Sequence, residues 1–216
     1  IYAQSLEEFQ KKGETLMSQG KNSEALEMFE KAITLDETSN RNAALYAYAG
    51  LTAKQLNKDN EAKIFFQSAI DRGFLEPMIY SMLGEICKTQ EDVPCLENTY
   101  RKAMETFPSE QQEFGKKLAY VYYNSKDFDK LELLSSELLR EDPDDEKLLQ
   151  FYAASLQKNK KINEAKVVYE KLLIKDPNNL AANVFIGNYY YQVGKAKLEK
   201  EEQKYKAIPN QTRVMW

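Results

Sequence analysis

Small and apolar residues recur with a period close to 34 along most of this 216-residue chain, and that period restricts the fold more than any other feature. It is plainest between residues 146 and 179. Leu149, Tyr152, Ala153 and Leu156 stand at i, i+3, i+4 and i+7, which marks one face of a helix. A polar break follows at Lys158-Asn159-Lys160-Lys161, then Ala165, Tyr169 and Leu172 mark a second helix before Asp176-Pro177-Asn178-Asn179. Two helices this close in sequence must fold back on one another. The same ruler, laid with starts at Leu6, Ala43, Pro77, Gln112, Glu146 and Leu180, accounts for most of the chain.

Numbering each repeat from its start, position 8 holds Gly13, Gly50, Gly84, Ala119, Ala153 and Gly187, and position 20 holds Ala25, Ala62, Leu96, Leu131 and Ala165. Position 24 holds Phe29, Phe66, Tyr100, Ser135 and Tyr169; position 27 holds Ala32, Ala69, Ala103, Leu138 and Leu172. Proline stands at position 32 in repeats 3 to 5, as Pro108, Pro143 and Pro177. Six of the eight glycines fall on position 8 or position 15. The small residue at position 8 is expected to let the first helix approach the second at position 20. The aromatic at 24 then fills the gap toward the following repeat. Proline lacks the amide hydrogen that would continue a helix, so it ends the second one. Gly20 and Gly194, both at position 15, read as breaks; Asn22, Asn60 and Asn163 read as helix N-caps, and Pro94 as a first-turn proline.

These offsets resemble the tetratricopeptide repeat (TPR) family, including its bacterial members, over residues 6–194. The resemblance implies an all-α fold: a right-handed α-solenoid of antiparallel helix pairs, with about five repeats, the first helix of a sixth, and a capping or protruding helix at 195–207. Residues 1–5 are then an N-terminal remnant and 208–216 a tail. Departures are local. Glu37 and Phe74 replace proline in the first two repeats, and extra residues at Thr38-Ser39-Asn40-Arg41-Asn42 loosen the first junction. Leu131, Ser135 and Leu138 put bulk in small slots of repeat 4, which should widen that helix pair unless the volumes compensate. Repeat 6 carries Glu199, Gln203 and Lys206 at positions 20, 24 and 27, giving its helix the polar outer face that a solenoid end requires. Leu198 and Tyr205 leave it one thin apolar stripe. The apolar finish Val214-Met215-Trp216 either folds back on the array or leads into further chain.

The chain holds no histidine, which removes the commonest general base and metal ligand together. No glycine-rich phosphate loop is present, and paired carboxylates such as Asp144-Asp145 sit where helix starts favour them. No catalysis, cofactor or metal is expected. With a net charge of −4 and a pI near 5.2 there is no basic field for nucleic acid, and no apolar run is long enough for membrane insertion. Cys87 and Cys95, at positions 11 and 19 of repeat 3, would approach one another across a helix hairpin, either as a disulfide or as two buried thiols. The paired cysteines and the start Ile1-Tyr2-Ala3-Gln4 lean toward export to a bacterial periplasm or the exterior.

Function is implied by the resemblance: a non-enzymatic protein–protein interaction module, with a peptide or protein on the concave face. In the family the first helices line that face through positions 2, 5, 9 and 12. Those positions hold Leu51 and Lys54 in repeat 2, Ser81, Glu85 and Lys88 in repeat 3, and Tyr120 and Tyr123 in repeat 4. Gln150 and Gln157 follow in repeat 5, and Ala181, Val184, Asn188 and Tyr191 in repeat 6. Tyr120, Tyr123 and Tyr191 are the aromatics left once packing has taken its share, and tyrosine suits binding hot spots. The chaperone-tail clamp of some members is not matched: Gln10 and Glu14 occupy its first two slots, the second with the wrong sign for an anion site. The alternative is an assembly subunit that docks or forms a homo-oligomer through its C-terminal helix and tail.

Overall fold

The computed structural model describes residues 2–35 and 42–207, with side chains from residue 6 onward. Eleven α-helices and one 3-10 turn make up the described chain, with no strand among these residues. In order they are α1 (Tyr2–Ser18), α2 (Asn22–Leu35), α3 (Ala43–Gln55), α4 (Asp59–Asp71), α5 (Pro77–Thr89) and α6 (Val93–Thr106). After the 3-10 turn Pro108–Glu110 come α7 (Gln111–Ser125), α8 (Phe128–Glu141), α9 (Glu146–Lys158), α10 (Ile162–Lys175) and α11 (Leu180–Ala207). The fold is an all-α helical-repeat solenoid, and it divides into two compact parts, residues 1–121 and 122–216. In the first, helix packing runs α1 on α2, α2 on α3, and so on to α6, with α1 also touching α3. In the second, α8 packs on α9, α9 on α10 and α10 on α11.

Every hairpin turns the same way, and the backbone shows why. Position 15 has a left-handed conformation in all five turns: Gly20 (φ 73°), Asn57 (58°), Glu91 (53°), Lys126 (60°) and Lys160 (62°). The next amide then reaches back to the carbonyl of position 11: Lys21 to Leu16, Lys58 to Ala53, Asp92 to Cys87, Asp127 to Tyr122 and Lys161 to Leu156, at 2.9–3.0 Å. The position-15 amide bonds the carbonyl of position 12 in each turn. This is the two-bond Schellman closure, which satisfies carbonyls that a helix end leaves orphaned.

That closure also corrects the expected caps. Asn22, Asn60 and Asn163 lie inside α2, α4 and α10, because the chain enters those helices one or two residues earlier, straight from the left-handed residue. Lys58 and Lys161 occupy the cap positions of α4 and α10 without a side-chain capping bond. True side-chain caps are Asp92 on the Cys95 amide, Asp127 on Lys130, Asn42 on Leu45, Asp145 on Leu148 and Asn179 on Ala182. Pro94 sits in the first turn of α6. The three position-32 prolines each follow a helix by two residues, after Thr106, Glu141 and Lys175.

Within the hairpins, glycine and ring meet directly. A Cβ built on Gly13 would fall 2.6 Å from the Phe29 ring, on Gly50 2.5 Å from Phe66, and on Gly84 2.5 Å from the Tyr100 hydroxyl. The aromatic at position 24 therefore seats on position 8 of its own repeat, rather than serving only the next one. Its other side does reach the following repeat: Phe29 stacks on Tyr48 at 6.0 Å, and Tyr100 tilts against Phe114 at 6.2 Å. In the C-terminal part Tyr169 stacks on Phe185 at 4.4 Å, with Ala153 and Ala165 fully buried beside it. Each buried ring contributes about 2–3 kcal/mol. In repeat 4, Leu131, Ser135 and Leu138 are all buried, the serine hydroxyl donating to the Leu131 carbonyl at 2.6 Å.

Several boundaries differ from the sequence reading. Helix α1 begins at Tyr2, so residues 2–5 extend the first helix. No turn is made at Gly194: α11 runs unbroken for 28 residues. Positions 20, 24 and 27 of repeat 6 are polar, so folding back would bury no apolar face, and continuing the helix costs only the roughly 1 kcal/mol of a helical glycine. Cys87 and Cys95 are joined as a disulfide across the α5–α6 turn, with Cα atoms 5.9 Å apart, rather than lying as two free thiols. The loosened junction lies outside the described residues except for Asn42, which caps α3; so do Ile1 and Val214-Met215-Trp216.

Two pairs of substitutions test this packing. Gly50→Ala should lower stability by about 1–3 kcal/mol because its methyl overlaps the buried Phe66 ring. Gly187→Ala, where a Cβ meets nothing within 4 Å, should instead raise stability by about 1 kcal/mol through helix propensity; urea melts read both. At the turns, Lys160→Gly should gain about 0.5–1 kcal/mol by relieving a left-handed lysine, whereas Gly20→Ala should lose a similar amount.

Candidate functional site

The first helices carry the residues singled out for binding, and their surroundings differ. In the N-terminal part Leu51 and Lys54 are half-buried, and the Lys54 ammonium bonds Asp59 at 2.8 Å. Ser81 is half-buried and accepts from Lys117 at 3.3 Å. Glu85, Lys88 and Tyr120 are exposed. Glu85 also acts on a buried neighbour: burial first, and then this carboxylate, push the Tyr100 phenol up to about 12. That hydroxyl therefore stays neutral against Gly84. The set on this part is mostly polar and spread over three repeats.

The C-terminal part holds an open groove of about 840 Å³. Its long wall is α11, which presents Leu180, Val184, Asn188, Gln192 and Ala196 at every fourth residue, with Ala181, Phe185, Tyr189 and Val193 beside them. Gln157 from the end of α9, and Ile162 and Tyr169 from α10, close the other side. Four-residue spacing places a continuous strip of side chains along a helix, and from Leu180 to Ala196 that strip is roughly 24 Å long at 1.5 Å per residue.

No side chain lining the groove carries a charge. Its polar groups are three amides, Gln157, Asn188 and Gln192, and two phenols. Tyr169 donates its hydroxyl to Gln157 Oε1 at 2.8 Å, which fixes that amide and leaves the donor capacity of its NH₂ for another partner. Burial, with a smaller contribution from Tyr123, raises the Tyr169 pKa, so the donor stays protonated. Leu180, Val184, Ile162 and Val193 are exposed apolar side chains, an arrangement that favours an apolar occupant with backbone amides to satisfy.

Of the residues expected at the site, Gln157 and Asn188 are brought together here. Gln150 is exposed and donates to Glu146 at 3.1 Å. Tyr123 is exposed and outside the groove lining, and it leans on the buried Phe151 ring at 5.8 Å, so part of it serves packing. Tyr191 is exposed and lies outside the groove lining. Leu180, Ile162, Phe185, Tyr189 and Val193 were not anticipated. For those on α11 the signal was the four-residue strip that begins at Leu180, whereas nothing in the repeat register pointed to Ile162 on α10. A second, polar cavity of about 390 Å³ in the same part is closed by Glu132, whose carboxylate accepts from Asn159 at 2.8 Å and pairs with Lys161. Burial raises that carboxyl's pKa, but the two hydrogen bonds outweigh it and hold it below the usual range.

Among the described residues no cluster of acidic, cysteine or histidine side chains could hold a metal, and no helix is long and apolar enough to cross a membrane.

Residues 9–39 match the tetratricopeptide repeat family model. No curated protein matches the sequence. Among solved structures the chain is similar to YrrB, described as a TPR protein with an unusual peptide-binding site, with a TM-score of 0.56 and 18% identity over 84% of this chain and 95% of that one. MamA gives a TM-score of 0.55 at 16% identity, covering 81% and 93%. A tetratricopeptide repeat protein from Parabacteroides merdae gives 0.54 at 18% identity, covering 95% and 81%. At such identities the likeness is one of fold. A repeat recognisable from sequence over residues 9–39, and a hairpin that recurs with the same turn through both parts of the chain, give this chain the fold of tetratricopeptide-repeat proteins.

Proposed function

We propose that the chain is a protein-interaction module whose C-terminal part binds a neutral, apolar segment of a partner polypeptide along α11. The tetratricopeptide fold supports a protein–protein interaction or scaffold role in general; such proteins are generally interaction modules rather than enzymes. The observation that carries the finer reading is the uncharged groove with three amides set among exposed apolar side chains. In tetratricopeptide arrays the first helices line the concave face, and Ala181, Val184 and Asn188 occupy its positions 2, 5 and 9. That YrrB is described as having a peptide-binding site supports a peptide as the occupant.

The dimensions suit an extended segment. A strip of roughly 24 Å accommodates about seven residues at 3.3 Å each. The amides of Gln157, Asn188 and Gln192 both donate and accept, so they can pair with backbone groups on either edge of such a segment. Helices already held by α10 and by the Tyr169–Phe185 stack lose little freedom when a ligand arrives, which conserves affinity. Tyr123 and Tyr191, in the same part, would extend recognition beyond the groove. The tyrosines and amides belong to the reading as supporting contacts, and the groove as its centre.

The test uses a phage-displayed random peptide library selected on the immobilised chain. Wild type should enrich uncharged, apolar peptides. Ile162→Glu and Gln157→Glu, at exposed positions, should weaken the selected peptides at least about tenfold by setting a charge against apolar groups. Selection of no peptides, or of peptides that bind these variants as well as wild type, would sink the groove. Tyr191→Ala reports separately whether an exposed tyrosine takes part.

A further inference from the structure

The chain's two cysteines are bonded to each other, and the repeat register gives their sulfurs opposite surroundings. Position 11 is buried in all five repeats, and Cys87, which occupies it in repeat 3, is fully buried. Position 19 is a slot that meets solvent. It holds Glu24, Glu61, Lys130 and Glu164 in the other four repeats, and Cys95 stands in it half-buried, just after the exposed Val93 and Pro94. The bond therefore runs from the interior of the hairpin outward to its surface. A thiolate that cleaves a disulfide must reach one sulfur on the side away from the other, so access decides which sulfur is attacked. At Cys95 that side is toward water; at Cys87 it lies in the interior.

The turn beneath the bond does not depend on it. The Asp92 amide donates to the Cys87 carbonyl at 2.9 Å and the Glu91 amide to the Lys88 carbonyl at 3.1 Å, while the Asp92 carboxylate caps the Cys95 amide at 3.0 Å. Four other turns make the same backbone closure with no crosslink. With the bond cut, Cys87 and Cys95 therefore keep their places, their Cα atoms 5.9 Å apart, a distance from which a disulfide forms. Cys95 also lies in the first turn of α6, and a helix N-terminus favours a thiolate. The Thr99 hydroxyl is 4.0 Å from its sulfur. The Asp92 carboxylate, which opposes a second negative charge, is engaged by the Lys63 ammonium at 2.7 Å.

We propose that Cys95 is a site of reversible thiol–disulfide exchange in the folded chain, taking small thiols of the glutathione class, with Cys87 as the resolving sulfur. The incoming thiolate attacks Cys95 Sγ. A new S–S bond forms there as the Cys87–Cys95 bond breaks, and Cys87 leaves with the electron pair as a thiolate that takes a proton from water. One disulfide is consumed and one is made, so no outside oxidant or reductant is needed beyond the thiol itself. In the reverse step the Cys87 thiolate attacks Cys95 Sγ, expels the small thiol and restores the internal bond. The turn holds Cys87 in place for that return. Position 19 carries a charged side chain in the other four repeats, so an adduct on Cys95 extends into water without displacing packed atoms.

Wild type itself reports the attacked sulfur. Treated briefly with excess reduced glutathione, quenched with N-ethylmaleimide in denaturant and mapped by mass spectrometry, it should carry glutathione on Cys95 and maleimide on Cys87. Its circular dichroism spectrum should not change on treatment. Reduction by dithiothreitol should be first order in reductant and indifferent to urea below the unfolding transition, because the native chain is the species attacked. Single variants then separate the two sulfurs. In Cys87→Ala the remaining Cys95 should form a mixed disulfide with oxidised glutathione at least about tenfold faster than Cys87 does in Cys95→Ala. Glutathione found on Cys87 or on neither cysteine of wild type, reduction that proceeds only as fast as the chain unfolds, or equal reactivity of the two variants would each overturn the proposal.

Discussion

An aromatic ring seated on a glycine is the contact on which the repeats depend. Phe29 on Gly13, Phe66 on Gly50 and Tyr100 on Gly84 bring the two helices of a hairpin close enough that any side chain on the glycine would overlap the ring. The same rings present their other surfaces to the next hairpin, as Phe29 does to Tyr48 and Tyr100 to Phe114. One residue therefore sets both spacings, within a repeat and between repeats. Repeat 5 achieves the same end with Ala153 in the notch, while Tyr169 turns its ring onto Phe185 and its hydroxyl onto Gln157. The residue that closes the last hairpin also orders the floor of the groove.

The turns supply a second constraint, of backbone rather than side chain. A left-handed residue at position 15 reverses the chain and ties off the carbonyls of the first helix in five successive repeats. Only Gly20 adopts that conformation without steric cost; Asn57 tolerates it, and Glu91, Lys126 and Lys160 hold it against a preference of roughly 1–2 kcal/mol. Packing on either side of the turn is strong enough to impose it. In repeat 3 the Cys87–Cys95 bond spans that turn as well, so the reversal there is fixed covalently.

Much of this was legible in the sequence because the period is long and repeated. The starts at Ala43, Pro77, Glu146 and Leu180 coincide with helix starts, and the position-32 prolines follow helix ends as their missing amide requires. What the pattern hid was local. Asparagine before an acidic helix start resembles a cap, yet the Schellman turn delivers the chain already coiled, so Asn22, Asn60 and Asn163 are inside their helices. Gly194 repeats the register of Gly20, but a glycine breaks a helix only when something rewards the turn, and Glu199, Gln203 and Lys206 offer no apolar face. The continuous helix carries the wall of the groove past Gly194 to Ala196. Tyr120, Tyr123 and Tyr191 are exposed, but sequence could not show that Tyr123 leans on Phe151.

Within each part, helices touch chiefly those adjacent in the chain. Stability in such a row is a sum of local terms and shared borders rather than one property of the whole. Heating should then release the ends first, and the calorimetric enthalpy should exceed the van't Hoff value, the mark of a transition that is not all-or-none. A lesion in one hairpin would loosen its immediate neighbours and leave distant ones standing.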